Sequence, residues 1–297
     1  MSSQAQPQTQ DFWQWYDQAQ QQARALGIPT AELDWLLREL AGLDRLSLRL
    51  RPSLQHLSSS EFDHLWQRRL QERIPVQYLV GRVSWRDFEL RVTPAVLIPR
   101  PETELLVDLA AARAHSGETW ADLGTGSGAI ALGLARLQLG LKLVATDISE
   151  VALAIAQENA KRLGSTVEQQ VQFYQGNWFE PLSRLNKPLD GMMSNPPYIP
   201  AAEVLQLEPE VRQHEPHLAL DGGPDGLSAF RQLVQEAPSY LRPGGHWLVE
   251  VMADQAASVA QQLAASRCYT DIQTYPDLAG IERFVGAVCC HSRWEAH

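Results

Sequence analysis

Cysteine is scarce in this chain. Only Cys268, Cys289 and Cys290 occur in 297 residues, an odd number with two adjacent and no C-x-x-C spacing. That supports neither a disulfide framework nor a zinc site, and it fits a reducing cytoplasm. Long apolar runs are also missing: no stretch approaches the roughly 18 residues of a membrane span. The opening MSSQAQPQTQ has no basic segment followed by an apolar core, so it reads as a polar tail and not as a secretory signal. Basic excess is absent too. The formal charge is −10, and a protein that lives on phosphate backbones carries a basic stripe that is not seen here. RVSWRDFELR, between Arg82 and Arg91, is mixed in sign and reads as a solvated edge. What remains is ordinary for a globular protein, 44% apolar and 20% charged, and long enough for one large or two smaller domains.

Two regions differ in period. From residue 11 to 74, Phe12, Tyr16, Ala19, Ala23 and Leu26 recur at three- and four-residue steps. Leu33, Leu36, Leu37, Leu40 and Leu43 repeat the pattern after Gly27 and Pro29, with Thr30 available as a cap. Ser58-Ser59-Ser60-Glu61 has capping-box spacing and opens a third helix, carrying Phe62, Leu65, Trp66 and Leu70, that Pro75 stops. This bundle shows no chemistry of its own; it packs or it binds a partner. Val83, Trp85, Phe88, Leu90 and Val92 then suggest a hairpin or extended connector over 76–98. From about 99, strands near 119–123, 142–147, 171–175, 190–195, 246–251, 269–275 and 283–289 alternate with helices. The fold class is therefore α/β, a mostly parallel sheet covered on both faces. The expected domains are 1–75, a connector 76–98, and 99–297.

WADLGTGSGAI, residues 120–130, is a strand running into a G-x-G-x-G loop and then a helix. Gly124, Gly126 and Gly128 suit a reversal with positive φ and a backbone that touches a ligand. Thr125 and Ser127 lie between them, and the free N–H groups of the next helix suit a carboxylate. A structural turn, a dinucleotide site or a site for S-adenosylmethionine (AdoMet) could each use this loop. Asp147 ends the second strand, nineteen residues after Gly128, where an acidic residue accepts hydrogen bonds from ribose hydroxyls. It could instead cap the next helix, although Ser149 is better placed. Ala129 stands where the dinucleotide fingerprint has its third small residue, so NAD is not excluded by that position. Trp178, in Asn177-Trp178-Phe179 after the third strand, either lies against an adenine or fills the core.

Asn195-Pro196-Pro197-Tyr198 closes the fourth strand of this series. Asn-Pro is a common turn signal, yet two successive prolines remove two donors and fix two φ angles, so the rigidity needs a reason. Open parallel sheets bind ligands where the winding reverses, between strands one and four. An amide or amino nitrogen is a weak nucleophile because its lone pair is delocalised. The Asn195 side-chain oxygen and the Pro196 carbonyl can hold both of its N–H bonds, aim the lone pair at a methyl donor and stabilise positive charge developing on nitrogen. Tyr198 can pack against the planar group, and no strong base is required. Loop and tetrapeptide together point to an AdoMet-dependent methyltransferase acting on a planar nitrogen.

With those residues in place, the chain resembles the peptide chain release factor glutamine methyltransferases, the HemK/PrmC family, over nearly all of residues 10–290. The resemblance rests on LIPRPETE (97–104), DLGTGSGAIAL (122–132), TDIS (146–149), SNPPYIP (194–200), EPHLALDGGPDGL (215–227), LRPGGHWLVEV (241–251) and DLAGIERFVGA (277–287). It implies an N-terminal helical domain that binds release factors, a hairpin, and a seven-stranded Rossmann-like AdoMet domain. It implies methylation of the side-chain amide nitrogen (N5) of the glutamine in a Gly-Gly-Gln motif. It assigns Gly124, Thr125, Gly126, Ser127, Gly128, Asp147, Trp178 and Asn195 to AdoMet. It assigns Asn195, Pro196, Pro197 and Tyr198 to the substrate, with Asn195, Pro196 and Tyr198 catalytic. Pro276 and Met252 depart from the family pattern, where lysine and glycine are usual. A cytoplasmic monomer without nucleic acid, membrane or metal partner is expected.

Rival readings leave features unused. A sibling family acting on a ribosomal-protein glutamine usually has a V-P-R-S-P-type segment where this chain has Ile98-Pro99-Arg100-Pro101-Glu102-Thr103-Glu104. An N6-adenine methyltransferase needs phosphate contacts. An NAD oxidoreductase leaves Asn-Pro-Pro-Tyr without a task, and a scaffold leaves all three motifs idle. His214 and His217, around Glu215-Pro216, lack a helical face for a metal and read as loop residues. Glu102 and Glu104 read as first-turn helix charges.

Overall fold

The apolar periodicities before Pro75 become four helices, where the sequence suggests three. In the computed structural model, which describes residues 7–54 and 57–293, these are α1 (Pro7–Ala25), α2 (Ala31–Ala41), α3 (Arg45–Leu50) and α4 (Ser59–Gln71). Of the ten residues read as a polar tail, the first six lie outside the described residues and the last four are not a tail but the opening turn of α1. The unexpected helix, α3, is six residues long, too short to show a period; Asp44 starts it by accepting from the Ser47 N–H at 2.7 Å. Thr30 is already in the helical conformation (φ −63°, ψ −21°) and makes no side-chain cap. Ser58 accepts from the Ser60 N–H at a long 3.4 Å, so the cap at α4 is a single weak bond. Pro75 does not end α4, which stops four residues earlier. It opens a further turn, α5 (Val76–Val80), inside the span expected to be extended. Phe12, Tyr16, Ala19, Ala23, Leu33, Leu36, Leu37, Phe62, Trp66 and Leu70 form the bundle core. Leu26 and Leu40 keep the helical spacing but are exposed.

Two compact units result, one holding the chain up to Gly81 together with Glu208–His214, the other Arg82–Leu207 and Glu215 onward. The returning segment carries α11 (Pro209–His214), numbered in chain order. It is tied to the helical unit by charge. Arg69, 3% exposed, grips Glu32 through Nε and Nη2 at 2.5 and 3.0 Å, and its Nη1 lies 2.8 Å from Glu210. Arg73 reaches the same Glu210 oxygen at 2.7 Å, and His214 Nε2 meets the Glu72 carbonyl at 2.7 Å. His214 and His217 thus lie in different units, and no group of three metal-binding side chains occurs among the described residues.

The second unit opens with a hairpin, β1 (Arg82–Trp85) and β2 (Phe88–Arg91), whose Trp85, Phe88 and Leu90 are buried; only its other face is the solvated edge. A 3-10 turn at Pro101–Thr103 leads into α6 (Glu104–Ala111). There follow β3 (Thr119–Leu123), α7 (Ala129–Arg136), β4 (Lys142–Asp147), α8 (Glu150–Arg162), α9 (Ser165–Gln170), β5 (Val171–Gln175) and β6 (Leu189–Ser194). After α10 (Ala201–Val204) come α12 (Ser228–Glu236), β7 (Leu241–Glu250), α13 (Ala256–Ser266), β8 (Tyr269–Pro276) and β9 (Glu282–Cys289). The seven strands order as β5-β4-β3-β6-β7-β9-β8, parallel from β5 to β7, with β9 antiparallel to both neighbours. The first and fourth strands, β3 and β6, are adjacent, so the winding reverses between them.

Alternation along the strands fills two cores. Ala121, Leu123, Val144, Met192, Trp247 and Val249 pack with α12 and α13; Trp120, Leu143, Ala145, Met193 and Leu248 pack with α6 and α7. Gly191 pairs with Trp120 in register, and a Cβ there would lie 2.5 Å from the indole. The ring cannot yield, since its Nε1–H donates to Glu118 at 3.0 Å and it stacks on His246 at 5.9 Å. Gly191→Ala is expected to lower the melting temperature by roughly 2–12 °C, the scale of an overpacked core in a domain of this size. An unchanged transition in calorimetry would show that the indole does relocate.

Candidate active site

The loop after β3 is built from three left-handed glycines, Gly124 (φ +73°), Gly126 (φ +56°) and Gly128 (φ +86°). A side chain there would strain the backbone and stand in the ligand's way. Its anchors are specific. The N–H groups of Gly124 and Thr125 both donate to the Thr146 carbonyl at 2.9 Å, tying the loop to β4. Asp122, 1% exposed, accepts from the Thr125 hydroxyl at 2.6 Å and the Ala131 N–H at 3.0 Å; burial pushes its carboxyl up to about 6.

Asp147 closes β4 and faces the loop. One oxygen accepts from Gly126 N–H at 2.8 Å and the other from Ser149 N–H at 2.9 Å. A carboxylate has about four acceptor sites, so each oxygen retains capacity for a hydroxyl. Burial raises its pKa against the pull of the backbone N–H groups at Ser149 and Gly126. Ser149 takes the cap of α8, accepting from Ala152 N–H at 3.2 Å, which leaves Asp147 for the cavity. Trp178 supplies a flat wall. Its backbone is left-handed (φ +44°), and its carbonyl accepts the Thr146 hydroxyl at 2.9 Å. The indole lies so close over Gly124 that a Cβ on that glycine would come within 3.1 Å.

These groups border one cavity of about 250 Å³. Its lining includes Gly124, Thr125, Gly126, Ser127, Asp147, Ile148, Trp178, Asn195 and Pro197. Gly128, Pro196 and Tyr198 belong to the same loops but do not line it. Gly128 instead caps α7, and Pro196 is buried. The glycine cradle, an acidic group with spare acceptor capacity and an aromatic wall fit a nucleoside bearing a charged amino-acid tail.

Asn195 follows β6. Its Nδ2 donates to the Thr103 hydroxyl at 3.2 Å, Thr103 donates to Glu250 Oε2 at 2.6 Å, and the Tyr198 hydroxyl donates to Glu250 Oε1 at 3.3 Å. Neither the Asn195 side-chain oxygen nor the Pro196 carbonyl takes a hydrogen bond among the described residues, so both are free to accept. The segment after the tetrapeptide is strapped down. Ile199 exchanges bonds with Leu220 and Gly222 at 3.0 and 2.8 Å, and Gln255 Nε2 holds the Tyr198 carbonyl at 2.8 Å. Gly226 (φ +72°) is required there, because a Cβ would meet that carbonyl at 2.3 Å. Arg100 then pins the cavity's rim: its Nη2 donates to both oxygens of Glu215 at 2.8 Å, and Pro216, Leu218 and Ala219 follow at the cavity wall.

Sequence reasoning passed over Thr103, Glu250 and the Arg100–Glu215 pair. The available signal was a lone carboxylate ending the apolar run Trp247-Leu248-Val249-Glu250. Glu102 and Glu104 drew attention instead; Glu104 accepts from the Arg86 N–H at 2.8 Å and serves the hairpin. Neither Met252 nor Pro276 lines the cavity. Met252 N–H donates to Gln255 at 3.2 Å, and Pro276 ends β8 after a register shift.

Residues 114–286 match the family described as "Methyltransferase domain", and residues 14–81 match "PrmC N-terminal domain". A release factor glutamine methyltransferase of Synechocystis is 51% identical, covering 94% of this chain and 96% of its own. One of Gloeobacter violaceus is 49% identical over 91% and 94%, and one of Caulobacter vibrioides 38% over 86% and 88%. Among solved structures, the hMettl16 catalytic domain in complex with MAT2A 3'UTR hairpin 6 superposes with a TM-score of 0.54 at 13% identity, covering 70% of this chain and 77% of that one; it shares the fold. The conservation of length and sequence across both matched regions settles the relationship: this chain belongs to the release factor glutamine methyltransferase family.

Proposed function

We propose that the chain methylates the side-chain amide nitrogen (N5) of the glutamine in the Gly-Gly-Gln motif of peptide chain release factors, using AdoMet. The observation that carries this reading is the free side-chain acceptor of Asn195, set on a cavity that also contains the glycine loop, Asp147 and Trp178, with the unbonded carbonyl of Pro196 next to it in the chain. When bound, AdoMet supplies a methyl group on a positively charged sulfur. Gly124, Thr125, Gly126 and Ser127 would receive its amino-acid end, with Gly128 setting the loop's exit. Asp147 would accept from the ribose, Trp178 would take the adenosine, and Asn195 would serve both ligands. The Asn195 oxygen and the Pro196 carbonyl accept the two N–H bonds of the glutamine amide. Held so, the amide nitrogen would have its lone pair aimed at the methyl group; as the N–C bond formed the S–C bond would break and S-adenosylhomocysteine would leave, with the two acceptors stabilising the positive charge that grows on nitrogen. Pro197 and Tyr198 keep the amide plane fixed. The N-methylated amide then loses a proton to water without a dedicated base.

The helical unit is assigned to release-factor docking, supported by the PrmC N-terminal match and by exposed Leu46 and Leu50, one turn apart on α3. A translation factor as substrate implies a cytoplasmic site of action, and a role in translation termination follows. The test uses methyl-labelled AdoMet with purified release factor and its Gln→Ala variant. Mass spectrometry is expected to place one label on the Gly-Gly-Gln glutamine and none on the variant. Equal labelling of both, or label on another residue, would overturn the assignment.

A further inference from the structure

We propose that Glu250 is a positioning residue for methyl transfer: through the Thr103 hydroxyl it decides which edge of the Asn195 carboxamide meets the acceptor, and through the Tyr198 hydroxyl it fixes the neighbouring ring. This rests on the assignment of Asn195 to the acceptor amide.

The proton inventory carries the inference. A carboxylate only accepts. Thr103 therefore spends its single O–H on Glu250 Oε2 at 2.6 Å, leaving its oxygen able only to accept from Asn195. That forces Asn195 to direct Nδ2–H at Thr103, at 3.2 Å, and to turn its side-chain oxygen away as the free acceptor. The two edges of a carboxamide are nearly the same shape, so sterics alone would not choose between them. Reversed, Asn195 would present N–H to the N–H of the incoming amide. Tyr198 is constrained in parallel, since its only O–H donates to the second Glu250 oxygen at 3.3 Å. One carboxylate thus orients both ends of the tetrapeptide.

Its surroundings make the carboxylate sensitive to proton concentration. Glu250 is 2% exposed, and burial pushes it up to about 7 against the hydrogen bonds from Thr103 and Tyr198. Arg283 on β9 favours the charged form and Glu102 on the 3-10 turn disfavours it. Arg100 and Arg283 also face Tyr198. Once protonated, Glu250 can donate to the Thr103 oxygen, releasing the Thr103 hydroxyl to donate to Asn195 and removing the constraint on the amide's edge. Raised pKa and ionised active form fix the sign: turnover falls as pH drops through about 7 and levels off above it.

The test measures kcat at saturating AdoMet and release factor from pH 5.5 to 9, with AdoMet affinity measured by calorimetry. Wild type is expected to show the acid limb. Glu250→Gln and Thr103→Val are expected to lose roughly tenfold or more in kcat, to lose the limb, and to keep AdoMet affinity within about threefold. Thr103→Ser, which restores the hydroxyl, is expected to recover both rate and limb. If Glu250→Gln does not fold, Thr103→Val alone decides. A Thr103→Val enzyme with wild-type kcat, or one that keeps the acid limb, overturns the positioning role while label on the wild-type product leaves the function intact. A wild-type enzyme that puts no label on the glutamine sinks both.

Discussion

Asn195→Ala is expected to lower kcat by roughly a hundredfold or more, the scale of losing one aligned transition-state contact, while AdoMet binding weakens much less. The side chain offers a free acceptor to one N–H of the amide and is held by Thr103 at 3.2 Å. Alanine removes that acceptor and strands the Thr103 oxygen. The Pro196 carbonyl remains, so the amide still binds by one hydrogen but swings about it, and its lone pair is no longer aimed. The loss should therefore fall on kcat more than on KM for the release factor. Single-turnover mass spectrometry separates chemistry from product release. Turnover within a few-fold of wild type would remove Asn195 from the transition state.

Asp147→Ala is expected to act on the other ligand, raising the AdoMet dissociation constant by roughly 10- to 100-fold, since hydrogen bonds to a charged group contribute about 1.5–3 kcal/mol each. Part of this loss comes through the loop, because Asp147 also holds Gly126 N–H at 2.8 Å and Ser149 N–H at 2.9 Å. Asp147→Asn separates the two effects: a ribose hydroxyl can accept from its N–H₂, but the backbone N–H groups of Gly126 and Ser149 cannot, so a loss in this variant reports on the loop. The pH sign is also fixed. Burial raises the pKa of Asp147, so acidification protonates it sooner than an ordinary aspartate, and AdoMet affinity should begin to fall at a higher pH than for an exposed carboxylate. Calorimetry showing unchanged affinity for both variants would refute the ribose role.

Much of the site was legible before any coordinates. Glycines with positive φ, an acid at the end of the second strand and a proline-stiffened turn after the fourth are local devices whose residue types follow from backbone geometry. The strands were legible because buried parallel strands must be apolar on both faces. The errors share a cause. Helix α3 is too short to have a period, and Pro75 reads equally well as a stop or a start. Thr30 is a capping residue type placed one residue too late, already inside the helical conformation.

By itself, the amino-acid order determined the groups on offer: a glycine loop that suits an amino-acid tail, an acid that suits a ribose, and the acceptors that the proposed reaction gives to a planar nitrogen. Only tertiary structure decided how those acceptors are aimed. Thr103 and Glu250 lie 147 residues apart, and Thr103 and Asn195 lie 92 apart. No periodicity or spacing rule links positions so distant. Their conjunction comes from β7 lying beside β6, with the Pro101–Thr103 turn brought to the same carboxyl ends. There one ionised carboxylate, able only to accept, turns a side-chain amide with two similar edges into one with a single orientation.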